Sequence, residues 1–191
     1  MTVVFIFETF IIIIKFLERR ITMTETIGQI IGFVAMAVIV FSYQQKSHKN
    51  ILTFQMVSGL LFTLHFLLIG AYTGCVSNLI GALRSLIYAN RGKNKFTDFS
   101  LWPVIFSVVF TVSGIMTWDN IFSVFPIIAM VASSVVLWID SPKINRAFSI
   151  PTSACWLIYN IPTRSFAGIA TEIFVLSSIV VGMIRLDRKK K

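Results

Sequence analysis

Glu172 and His65 place a carboxylate and an imidazole inside long apolar stretches of this 191-residue chain. A charged side chain in hydrocarbon costs roughly 3 kcal/mol or more, so such a carboxylate normally faces a cavity or a partner. An imidazole that titrates near neutrality is a natural proton carrier. Together the two could hold a polar solute or pass a proton. The alternatives are structural: Glu172 could lock its helix by bonding Tyr159 or Arg164, and His65 could be a packed, singly bonded side chain. Asn78 and Asn160 add amides that must be hydrogen-bonded in lipid, to a ligand or to a neighbouring helix. Trp156 and Tyr159 face the same way as Thr152, which suits a sugar-like ligand, the ring covering an apolar face while polar groups fix orientation. A core aromatic whose N–H finds a backbone carbonyl would look the same, and with 18 phenylalanines in the chain aromatic content alone decides nothing.

Depth arithmetic puts most of these residues in one layer. Glu172 lies six residues, about 9 Å, from Phe166, and His65 lies five residues, about 7.5 Å, before Gly70. The substrate-binding candidates are therefore His65, Asn78, Trp156, Tyr159, Asn160 and Glu172. No catalytic set accompanies them: HExxH, GxSxG, a phosphate loop and paired carboxylates are all missing from the sequence, so no enzyme is expected. No cofactor or metal is expected either. Cys75 and Cys155 lack CxxC spacing and a partnering histidine, and read as small buried residues.

The elements that carry these residues are membrane helices. The sequence is 56% hydrophobic and 13% charged, with a mean hydropathy of +0.83, against roughly 25% charged residues in a soluble domain. Apolar runs of spanning length are expected at 28–45, 51–69, 72–90, 101–117, 121–139, 147–163 and 166–184. The net charge of +9 falls in the connections, so it reports topology and no nucleic-acid partner. Lys46, Lys49, Arg91, Lys93, Lys95, Lys143, Arg146 and the tail from Arg185 occupy alternate connections, and Arg164 stands alone on the other side. That sets the N-terminus outside and the C-terminus in the cytoplasm. Arg84, about 9 Å from the inner end of its helix, is expected to snorkel toward the cytoplasmic headgroups.

Within these helices one polar pattern occurs twice. Gln55, Ser58, Phe62 and His65 share a helix face, and 94 residues on Ser149, Thr152, Trp156 and Tyr159 repeat the spacing, with Asn78 matched by Glu172. Helix ends and basic loops coincide at the same offset. The expected fold is an all-α membrane protein of seven transmembrane helices, two parallel three-helix repeats joined by a linker helix. The segments are 1–22, an N-terminal extension preceding a candidate start at Met23; 23–95, the first repeat; 96–117, the linker helix; 118–185, the second repeat; and 186–191, a basic cytoplasmic tail. Gly28 with Gly32, and Ser77 with Gly81 and Ser85, are small-residue stripes for close helix packing. Pro126 and Pro151 are expected to kink the fifth and sixth helices.

The 3+1+3 layout resembles the SWEET and PQ-loop class of sugar transporters, although Tyr43-Gln44-Gln45 and Leu137-Trp138-Ile139 stand where that class has Pro-Gln, so a proline-hinged gate does not carry over. At closer range, His65-Phe66-Leu67-Leu68-Ile69-Gly70-Ala71-Tyr72, Asn78 to Ile87, Ala154-Cys155-Trp156-Leu157-Ile158-Tyr159-Asn160 and Ile184-Arg185 resemble the bacterial inner-membrane YgjV family. That resemblance spans Ile27 to Arg185 and implies a fold and a compartment but no substrate. The expected function is a transporter or facilitator for a small polar solute, sugar-like or another metabolite, in the lipid bilayer of the inner membrane. The alternative is a membrane receptor or accessory protein that binds without transport. Association into a homo-oligomer stays open.

Overall fold

The computed structural model describes residues 22–187. Expectations for residues 1–21 and for the basic residues from Arg188 onward lie outside the described residues. Seven α-helices and no strand occur among the described residues: α1 Met23–Ser42, α2 His48–Leu68, α3 Tyr72–Ala89, α4 Trp102–Met116, α5 Val124–Val136, α6 Pro142–Asn160 and α7 Phe166–Gly182. A 3-10 turn, Ile121–Ser123, leads into α5, and a π-helical turn, Met183–Asp187, follows α7.

Every expected apolar run holds one of these helices, and the largest shifts are at polar starts. α1 begins at Met23 because Thr22 and Glu25 form a capping box: the Glu25 N–H donates to the Thr22 hydroxyl at 3.2 Å and the Thr22 N–H donates to the Glu25 carboxylate at 2.8 Å. α6 begins at Pro142, capped by Ser141, so the polar turn around Lys143 and Arg146 is already helical. Hydropathy does not count such residues, whereas caps do. Met23–Ser42, His48–Leu68 and Phe166–Leu186 are long and apolar enough to cross a membrane, and Trp102–Met116 and Ile121–Val136 are shorter apolar helices. Phe33, Leu60, Leu64, Val108, Ile173 and Phe174 are exposed on the outside, while His65, Ser58, Asn160 and Ser165 are buried within. This is the distribution that lipid demands.

Pro126 departs from expectation. It sits in the first turn of α5 just after the 3-10 turn, where no intrahelical N–H bond is lost, so it starts the helix instead of kinking it. Pro151 does lie inside α6.

The connections between α2 and α3 and between α6 and α7 repeat one backbone geometry 94 residues apart. α2 ends in a Schellman motif: Gly70 has a φ of 74°, the Ala71 N–H donates to the Phe66 carbonyl at 2.9 Å and the Gly70 N–H to the Leu67 carbonyl at 3.2 Å. After α6, Arg164 takes the left-handed position with a φ of 55°, Ser165 donates to the Asn160 carbonyl at 3.1 Å and Arg164 to Ile161 at 3.2 Å. Both turns reverse the chain at once, making antiparallel neighbours.

In sequence order the principal neighbours are α1 with α2, α2 with α3, α5 with α6, and α6 with α7; α3 also meets α5, and α7 returns to α1. Six helices thus close a ring, and α4 lies outside it against α3 and α5. Phe106 and Phe110 of α4 join Tyr88, Met130 and Leu137 in one apolar cluster that fixes α4 to the ring. The glycines permit the closest approaches. A Cβ on Gly32 would stand 2.6 Å from the Ala167 Cβ and 2.7 Å from the His65 ring, and one on Gly81 would stand 2.5 Å from the Met130 methyl.

Candidate functional site: a polar cavity inside the helix ring

A cavity of about 150 Å³ lies inside the ring, lined by residues of α1, α2, α3, α5, α6 and α7. The two polar stripes meet there. Gln55, Ser58 and Phe62 face the cavity from α2, and Ser149, Thr152 and Trp156, at the matching positions, face it from α6. The fourth residue of each stripe, His65 or Tyr159, is not brought into the lining.

Those two side chains make another matched pair of contacts. His65, fully buried, bonds the Gly28 carbonyl through Nδ1 at 2.8 Å and the Ser165 hydroxyl through Nε2 at 2.7 Å. Because a carbonyl can only accept, Nδ1 carries the hydrogen; in the neutral ring Nε2 then accepts from Ser165, whose oxygen in turn accepts from the Gly168 N–H at the start of α7. Tyr159 receives the Gly74 N–H on its phenol oxygen at 2.9 Å, at the start of α3. His65 thus reaches from α2 to the N-terminus of α7, and Tyr159 from α6 to the N-terminus of α3. A helix N-terminus has unsatisfied N–H groups, and burying it among apolar residues requires such partners.

Two further contacts at the seams repeat at the same offset. Gln29 Oε1 accepts from Ala167 N–H at 2.9 Å across α1 and α7, and Thr73 donates to Ser123 at 3.3 Å where α3 meets the turn before α5. Ser178 donates to the Val40 carbonyl at 2.9 Å, and Arg84 donates to Ser134 at 3.0 Å. The seams are hydrogen-bonded at corresponding positions although the paired residues differ in type.

Four of the expected site residues do border the cavity: Asn78, Trp156, Asn160 and Glu172. Glu172 is 8% exposed and shares a hydrogen bond with Ser153 of α6, in place of the expected Tyr159 or Arg164. Asn78 donates to the Gly74 carbonyl of its own helix at 2.9 Å. Asn160 packs against Gly168, one turn before Glu172, and its buried Oδ1 has no hydrogen-bond partner. Trp156 stacks on Phe66 with ring centroids 5.9 Å apart. Among the described residues no group of three or more His, Cys, Asp or Glu could hold a metal ion.

Arg84 corrects the snorkelling expectation. It is 4% exposed and lines the cavity, donating from Nη1 to the Met130 carbonyl, Ser133 and Ser134 at 2.9 to 3.0 Å, with its guanidinium 5.2 Å from the Phe110 ring centroid. The sequence carried a signal for this: Ser77, Gly81, Arg84, Ser85 and Tyr88 lie at i, i+4, i+7, i+8 and i+11, one face of α3. The small residues that bring α5 close also bring Arg84 inward. Asn145, which sequence reasoning also passed over, borders the cavity with a buried Nδ2 that has no partner. Its polar position at the start of α6 resembles that of an ordinary loop residue.

Comparison with known proteins agrees with a membrane location. A family model described as a bacterial inner membrane protein, YgjV, matches residues 26–190. The inner membrane protein YgjV of Escherichia coli (strain K12) is 22% identical over 166 residues, which cover 86% of this chain and 87% of that protein. No solved structure matches.

Proposed function

The chain belongs to the YgjV family of bacterial inner membrane proteins, and on that footing we propose that it is a transporter or facilitator of a small polar solute, working by alternate exposure of its central cavity. The observation that carries this reading is the cavity itself, bordered by polar side chains from five of the ring helices and by Tyr43 at the end of α1, and by none from α4. A purely structural bundle in lipid has no reason to gather hydroxyls, amides, a carboxylate and a guanidinium around one space, since each such group costs free energy unless satisfied.

In this reading the ring is two parallel three-helix repeats, α1–α3 and α5–α7, with α4 as the linker that lets both keep one orientation. Seven spans follow, with α4 and α5 crossing where the bilayer thins or their flanking turns complete the span. The N-terminus is outside and the C-terminal tail cytoplasmic, by the distribution of Lys and Arg among the connections. The repeated contacts at the α1–α7 and α3–α5 seams support a motion of one repeat against the other, because both seams would be remade in equivalent ways.

The rival reading, a receptor or accessory protein that binds without transport, draws on the same seams: their many hydrogen bonds favour a rigid bundle. Solute flux into proteoliposomes across a metabolite panel separates the two. Saturable uptake of at least one solute is expected; saturable stabilisation by a solute that never crosses would leave only the rival.

A further inference from the structure

Arg84 and Glu172 border the same cavity from opposite halves of the ring, and neither is paired with an opposite charge. The guanidinium bonds a carbonyl and two hydroxyls, all neutral, and the carboxyl bonds a serine. The two do not form an ion pair with each other or with any other described residue. Their depths differ: Glu172 matches Asn78 of α3 at the 94-residue offset, and Arg84 lies six residues, about 9 Å, further along that helix.

From this geometry we infer that the cavity binds a small zwitterion of the α-amino-acid type, its anionic group on Arg84 and its cationic group on Glu172 and Asn160. This deepens the transport reading above and rests on it for the solute's passage, though not for its binding. Three observations converge. The acceptor pole is built from two groups: Asn160 packs against Gly168 one turn from Glu172 on the same helix, and its buried Oδ1 acceptor is uncommitted. At the donor pole, three neutral acceptors hold Nη1, while Nη2 has no hydrogen bond among the described residues, which leaves one arm of the fork for an anionic oxygen. Between the poles, Trp156 and Phe62 give an apolar wall.

The two poles disfavour the simpler ligands. A lone anion would meet the Arg84 fork and leave the acceptors of Glu172 and Asn160 without a donor, and a lone cation would leave the buried guanidinium without an anionic partner. A solute bearing both signs serves both poles. A neutral sugar would leave the guanidinium without a charged partner.

The test uses the full chain purified in detergent and follows melting temperature on titration with L-alanine, propionate, ethylamine and D-glucose, the second and third being alanine without its amino or its carboxylate group. Glycine and L-serine extend the zwitterion arm. Saturable stabilisation by an amino acid is expected, with propionate and ethylamine at least tenfold weaker. Glu172→Gln should weaken amino-acid binding at least tenfold and narrow the gap to propionate, and Arg84→Gln should weaken it and narrow the gap to ethylamine. If Arg84→Gln fails to fold, the Glu172→Gln selectivity change decides alone. Propionate binding as tightly as alanine, glucose binding in place of any amino acid, or no stabilisation by any of the three amino acids would overturn the inference. Counterflow on the same protein keeps the two claims apart: amino-acid binding without flux would remove transport and leave this inference, and glucose flux alone would do the reverse.

Discussion

At the scale of single residues, the polar side chains inside the bundle divide into those that face the cavity and those that hold helix ends. Glu172 belongs to the first kind. Glu172→Gln keeps the shape and the capacity to bond Ser153, so its melting temperature in detergent should stay within about 2–4 °C of the parent, a shift matching roughly 1 kcal/mol in a protein of this size, while solute binding falls. His65 and Tyr159 belong to the second kind. Tyr159→Phe removes the partner of the buried Gly74 N–H and should cost about 1–3 kcal/mol. His65→Ala should cost at least as much, since two bonds and a packed ring are lost. Activity per folded molecule should be unchanged in both, measured on the preparations used for the melts. The sequence placed His65, Tyr159, Glu172 and Asn78 at comparable depths, and depth was legible because it needs only a count from the helix end. Direction was not. His65 and Gln55 share a helical stripe, yet a stripe is wide enough for its last residue to turn past the cavity toward a neighbouring helix.

At the scale of elements, two glycines separate two physical reasons for having no side chain. Nothing lies within 4 Å of a Cβ built on Gly70, so Gly70→Ala should cost only the left-handed backbone penalty, roughly 1–2 kcal/mol. Gly32→Ala meets Ala167 and the His65 ring at under 3 Å. Its cost is steric, typically 1–3 kcal/mol and occasionally more, and it should loosen the α1–α7 seam, read as faster proteolysis or earlier melting. The small-residue stripes of α1 and α3 were visible in the sequence and do mark close approaches. The turn shared by Gly70 and Arg164 was hidden, because the backbone geometry repeats where residue type does not. Caps had the same effect on boundaries: Thr22 with Glu25, and Ser141 with Pro142, lengthen α1 and α6 into segments that hydropathy scores as loop.

At the scale of the whole molecule, correspondence at the 94-residue offset is weak in residue identity and visible in a few contacts. Gln29 with Ala167 corresponds to Ser123 with Thr73, and Val40 with Ser178 to Ser134 with Arg84, so the α1–α7 and α3–α5 seams are bonded at matching positions although the side chains differ. A pattern search could find the stripes and the basic loops, but pairing across a seam involves residues more than 40 positions apart and leaves no local periodicity. The positive-inside distribution gives a topology prediction at this scale. A cysteine placed in the tail should resist a membrane-impermeant thiol reagent in intact cells, and one at Gly70 should react; the reverse pattern would invert the orientation.

Exposure of the cavity to both sides of the membrane in turn is the central claim, and a single cysteine tests it most directly. Thr152 lines the cavity on α6, and Thr152→Cys in a chain whose Cys75 and Cys155 are replaced by alanine provides one reporter inside the ring. In proteoliposomes of known orientation, the same thiol should react with impermeant reagent added on either side, and a bound solute should slow both reactions. A thiol reached from only one side, whatever solute is present, would contradict alternate exposure and leave a binding cavity in a rigid bundle.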